Sequence, residues 1–150
     1  DGDKDYLERS LRYYNNINLM AMGICEEESN VPYKIREYLE EYNPNILVIT
    51  GHDAYYKKKG VQSDIKSYKN SINFVESIKE ARKFEKSHEK LIIIAGACQS
   101  NYEELIKNKI LTACLSNALF LKYNIISIET ITKLIQQKTK TYHFDEKSAK

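Results

Sequence analysis

The sequence predicts a doubly wound α/β fold, a mostly parallel sheet flanked by helices. Two observations carry this. Ile46-Leu47-Val48-Ile49 and Leu91-Ile92-Ile93-Ile94-Ala95 are continuous apolar runs rich in β-branched residues. Such runs mark strands buried on both faces of a parallel sheet. Around them lie stretches with the 3.6-residue apolar period of helices, and strands alternating with helices build this class.

The elements follow in chain order. Asp3 stands where it can cap a helix over Lys4–Asn15. Leu7, Leu11 and Tyr14 share one face of that helix. Asn18–Gly23 is short and apolar and reads as a strand. Pro32 suits the first turn of a second helix, with Ile35, Tyr38, Leu39 and Tyr42 as its inward stripe. Asn43-Pro44-Asn45 ends it. The strand Ile46–Ile49 stops at Thr50-Gly51-His52, and a basic loop from Tyr55 to Tyr68 follows. Ser71–Ser87 is the next helix, with Phe74, Val75, Ile78 and Ala81 inward. The strand Leu91–Ala95 stops at Gly96-Ala97-Cys98-Gln99-Ser100. Tyr102–Lys109 reads as a short helix and Ile110–Leu115 as a strand. Ile125–Ile128 reads as extended, Glu129–Gln137 as helix, and Lys138–Lys150 as a polar tail that frays. No repeat, low-complexity tract or linker divides residues 1–137, which are expected to form one domain. Asp1-Gly2-Asp3 has the character of a loop that follows a strand. The expectation is that this strand is missing and leaves a sheet edge exposed.

Composition narrows the function. The chain has 150 residues, 42% hydrophobic and 29% charged, the balance of an ordinary globular domain. A net charge of +2 gives no reason to expect nucleic acid or an anionic membrane as partner. No apolar run approaches the roughly 18 residues of a membrane span. The acidic, polar start is neither a secretory nor a transit signal. Three cysteines, Cys25, Cys98 and Cys114, with no C-x-x-C pair, argue against a disulfide framework and a structural zinc site. A reducing, intracellular setting is the default for such thiols. No metal or cofactor is expected.

In an open parallel sheet, chemistry gathers at the carboxyl ends of the strands. Both buried strands end in a reactive residue, His52 after Gly51 and Cys98 after Gly96-Ala97. A thiol is weakly ionised at neutral pH. A neighbouring imidazole takes its proton and later passes it to a leaving amine. Glycine lets the chain turn sharply at each site. The backbone N–H groups of Cys98 and of Asp53, beside Gly51, are candidate oxyanion donors. His52 precedes Cys98 by 46 residues. Caspase-type peptidases place their histidine about 50 residues ahead of the cysteine, and papain-like ones reverse the order. Cys25 reads as structural, Cys114 as core, and His88 and His143 as solvated. Lys57–Lys59 reads as a solvated loop.

The blocks DGDKDYL, PNILVITGHDAY, KKKG, the Phe74-Val75-Glu76 helix and AGACQS resemble, in that order, the YabG family of sporulation-specific proteases of endospore-forming bacteria. The resemblance runs from Asp1 to Ile106. It implies a caspase-like, three-layer αβα cysteine peptidase whose histidine and cysteine are His52 and Cys98. It also implies cleavage of spore coat and cortex-associated proteins after arginine, self-cleavage, and a place in the sporulating mother cell or the spore coat. An arginine preference requires an acidic pocket, because a buried guanidinium must be paired. In caspase-like peptidases the loop after the first strand helps form it. This singles out Asp1 or Asp3 as substrate-binding, with Asp53 as the other candidate. Beyond Ile106 the resemblance fades. Asn124-Ile125 keeps a register with the family, but a Ser-Pro turn and a glycine-rich C-terminal part are absent. Two alternatives stand beside this reading. One is a flavodoxin- or receiver-like binding domain, with Asp1-Gly2-Asp3 as a metal or phosphoacceptor site. The other is an inactive peptidase relative that acts as a scaffold.

Overall fold

The computed structural model describes residues 1–108 and 112–113. Within them the order is α1 (Lys4–Asn16), α2 (Val31–Tyr42), β1 (Ile46–Ile49), α3 (Ser71–Phe84), β2 (Ile92–Ala95), α4 (Tyr102–Lys107) and β3 (Thr112–Ala113). The strands form one parallel sheet in the order β1-β2-β3. Parallel neighbours need a crossover, and α3 supplies it between β1 and β2, α4 between β2 and β3. Ile46 lies opposite Ile92 and Ile49 opposite Ala95. Bonds from Ile92 N–H to Asn45 O (2.9 Å) and from Gly96 N–H to Ile49 O (3.0 Å) extend the ladder at both ends.

β1 and β2 are apolar throughout because both faces are covered. Ile49, Leu91, Ile93 and Ala95 join Ile35 and Leu39 of α2, Phe74, Val75, Ile78 and Ala81 of α3, and Leu105 of α4 in the main core. Ile92 and Ile94 point the other way and pack with Ile46, Val48, Tyr14 of α1 and Leu19. The α/β class and its parallel sheet are as the sequence predicts. Among the described helices none is long and apolar enough to cross a membrane.

The expected strand at Asn18–Gly23 does not form. Asn18 turns the chain with a left-handed φ of 55°. Leu19 then packs on the sheet face, while Met20 and Met22 are exposed. The short apolar run of a strand is present, but among the described residues no neighbouring strand takes its backbone groups. α3 also stops at Phe84, short of the expected Ser87, because Glu85 is extended and its carboxylate accepts the Ser87 N–H (2.7 Å). Of the strand expected over Ile110–Leu115, Thr112–Ala113 pairs with Ile94–Ala95. Cys114, His143, the elements expected beyond them and the domain end at residue 137 lie outside the described residues.

The segment ahead of α2 is pinned by Glu26. Its carboxylate accepts hydrogen bonds from Lys34 Nζ (2.6 Å), Asn30 Nδ2 (3.0 Å) and Tyr38 OH (2.9 Å). These donors, Lys34 foremost, hold its pKa at about 2 instead of the ordinary 4.5. An acid depressed in the folded state stabilises it above the unfolded value. That contribution fades as pH falls toward the folded value. Acid unfolding of Glu26→Gln, followed by circular dichroism, is therefore expected to be less steep between pH 4.5 and about 2 than that of the native chain. Superimposable profiles would show that this pairing does nothing for the folded state.

Candidate active site

β1 delivers His52 to the carboxyl edge of the sheet, and its backbone is held on both sides. The His52 N–H donates to Glu28 Oε1 (2.6 Å), and its carbonyl accepts from Asn70 Nδ2 (2.7 Å). The imidazole is 60% exposed, with Nε2 3.6 Å from Asp3 Oδ2. The Tyr6 ring meets it edge-on at 6.3 Å between centroids. A Cβ at residue 51 would meet the Glu28 carboxylate and displace it from the His52 N–H.

β2 delivers Cys98 to the same edge. Gly96 has φ 125°, a conformation that residues with a side chain avoid. The next turn is closed by Ser100, whose N–H donates to Ala97 O (3.2 Å) and whose Oγ accepts the Ala97 N–H (2.9 Å). Tyr102 OH donates to the same carbonyl (3.2 Å). Cys98 and Gln99 form the tip of this turn. Cys98 is half-buried, and its sulfur is in no disulfide.

The two ends are level with each other. In the ladder each β1 residue faces the β2 residue 46 positions later, the separation of His52 and Cys98. Each therefore leaves its strand three positions past the last pair, Ile49 with Ala95. Adjacent strands lie about 4.8 Å apart. The loops also touch, since the Tyr55 N–H donates to Gln99 Oε1 (3.4 Å). A third element ties them. Asp53 Oδ1 accepts the N–H groups of Ala54 (2.9 Å) and Asn70 (2.7 Å), and Oδ2 accepts the Ser71 hydroxyl. That hydroxyl in turn accepts the Asn101 N–H (2.8 Å). Asp53 thus sits at the N-terminus of α3, where the helix dipole favours a negative charge.

The other expected residues divide. Asp53 is committed to these internal donors, while its own N–H makes no hydrogen bond among the described residues. Asp1 accepts the Asp3 N–H on Oδ1 (2.8 Å) and the Thr50 hydroxyl on Oδ2 (2.7 Å), so both oxygens are in use. Asp3 caps α1 through the Tyr6 N–H (3.0 Å) and turns its other oxygen to His52. Glu28 is the residue that sequence reasoning missed. It belongs to a Glu26-Glu27-Glu28 run with no periodicity, and only the fold sets it between Gly2 and Gly51. Cys25 and His88 are exposed, and Cys25 stands beside Asp1, whose carbonyl accepts the Glu26 N–H (3.2 Å). Among the described residues no group of three or more His, Cys, Asp or Glu side chains is arranged to hold a metal ion.

A family model described as YabG peptidase U57 matches residues 1–111, a span containing both His52 and Cys98. The chain is also 45% identical over 107 residues to the sporulation-specific protease YabG of Bacillus subtilis (strain 168). That alignment covers 71% of this chain and 37% of the relative, so the chain spans well under half of the relative's length. No solved structure matches the chain. The extent of the family match, together with this identity, shows that the chain belongs to the YabG peptidase family.

Proposed function

We propose that the chain is a cysteine endopeptidase in which Cys98 is the nucleophile and His52 the base. Its domain, residues 1–137, is a caspase-like three-layer αβα unit followed by a polar tail over residues 138–150. The observation that supports this most is the common register of the two strand ends, which sets a thiol and an imidazole level on adjacent strands. The name of the relative supports protein substrates.

The chemistry needs no metal or cofactor. The imidazole takes the thiol proton, and the sulfur attacks the scissile carbonyl carbon. As the C–S bond forms, the carbonyl oxygen takes the negative charge and meets the N–H groups of Cys98 and Asp53. The imidazolium protonates the amine as the C–N bond breaks. Water deprotonated by the imidazole then hydrolyses the thioester and frees the thiol. The residue before the scissile bond is arginine, met at this acidic edge by Glu28. Glu28 brings an oxygen, Oε2, with no hydrogen bond among the described residues. The targets are spore coat and cortex-associated proteins and the chain itself, in the sporulating mother cell or the spore coat.

A panel of short fluorogenic peptides with Arg, Lys or Asp before the scissile bond tests this. The expected result is turnover of the arginine peptide that stops once the reduced protein is alkylated with iodoacetamide. Turnover that survives alkylation would exclude a thiol nucleophile. A folded, reduced chain that cleaves none of the peptides would make it an inactive relative.

A further inference from the structure

We infer that Asp3 is the positioning residue for His52, and that the Asp1–Asp3 loop serves the base rather than the substrate. The role in catalysis rests on the peptidase reading above. Three features carry it. First, Asp3 has one oxygen to spend. Oδ1 is fixed as the cap of α1 by the Tyr6 N–H (3.0 Å), which directs Oδ2 to within 3.6 Å of His52 Nε2. That separation is just beyond hydrogen-bond length, and catalytic hydrogen bonds are often long before substrate binds.

Second, Asp3 is keyed to the strand end that carries its partner. Its N–H donates to Asp1 Oδ1 (2.8 Å), and Asp1 Oδ2 accepts from Thr50 Oγ1 (2.7 Å), two residues before His52. The carboxylate and the strand end that carries the imidazole are therefore tied together. Third, Tyr6, whose N–H Asp3 caps, lays its ring edge-on to the imidazole, so the capped turn of α1 borders His52 as well.

A carboxylate facing Nε2 keeps a proton on that nitrogen, because it can only accept. Nδ1 is then the lone-pair nitrogen and the one that takes the thiol proton. This is the logic by which an acid fixes the tautomer of a catalytic histidine. A substrate guanidinium at Asp3 would compete for the same oxygen.

Asp3→Asn tests this without dismantling α1, since asparagine caps helices as well as aspartate. Its single carbonyl oxygen stays on the Tyr6 N–H, so its NH2 faces Nε2 and favours the opposite tautomer. The expected result is a fall in kcat on the order of 10²–10⁴-fold, with KM little changed and the same loss for arginine and lysine peptides. Long-range 1H–15N spectra of the His52 ring should show Nε2–H dominant in the native chain and Nδ1–H gaining in Asp3→Asn. Asp3→Ser keeps the cap but removes the second polar atom, and should show the two tautomers nearly balanced. A raised KM confined to arginine peptides, with kcat unchanged, would assign Asp3 to the substrate instead. An unchanged tautomer would overturn the inference outright. If the native chain cleaves nothing, the spectra alone decide whether Asp3 governs the imidazole, and the peptidase reading fails separately.

Discussion

Cys98→Ala is expected to abolish peptide hydrolysis, a loss on the order of 10⁶-fold by analogy with removal of a serine nucleophile. The turn that carries it should survive, because Ser100 and Tyr102 close that turn through the backbone of Ala97, which the substitution leaves in place. Unfolding midpoints of the two proteins should therefore agree closely. His52→Ala should follow with a smaller loss of about 10²–10⁴-fold, the usual worth of a positioned acid–base group. Its side chain is exposed, so stability should again change little. The informative failure is specific. If Cys98→Ala keeps a measurable share of an activity that alkylation removes, the nucleophile is another thiol, with exposed Cys25 first in line.

Phe74→Ala should destabilise the fold by about 3–5 kcal/mol, the range for deleting a buried aromatic ring. Phe74 is 1% exposed, in a cluster that spans α2, α3 and the sheet. Domains of this kind are stable by only about 5–15 kcal/mol, so urea unfolding should show a large drop in midpoint with the slope kept. Activity should decline in proportion to the folded fraction, because Asn70 and Ser71, at the start of α3, tie the loops that carry His52 and Cys98. A loss under about 1 kcal/mol would mean that the ring is not packed between helix and sheet as described.

What was legible in the sequence follows from how local each signal is. β1 and β2 could be read because burial on both faces leaves no polar position to interrupt the apolar run. His52 and Cys98 could be read because each stands at the same distance from such a run. Asn18–Gly23 was misread because a strand is defined by its neighbour's backbone, and no pattern within six residues reports whether a neighbour exists. Asp3 was legible as a cap and not as a partner of His52, since the second contact spans 49 residues. Glu28 left no trace. Its place depends on two glycines, Gly2 and Gly51, that happen to meet in space. Asp53 carried a signal of the wrong kind. Its charge suggested a ligand site, yet the fold spends that charge on the start of α3.

The register of β1 on β2 bears on how relatives of this domain can diverge. The ladder, not the length of chain between the strands, sets how His52 and Cys98 face each other. The exposed turn around Lys57–Lys59 can therefore gain or lose residues in descendants at little cost to the pair. A one-residue slip in either strand is different, because it turns every side chain to the opposite face. Lineages of this domain should be free to drift in loop length while their strand pairing stays frozen.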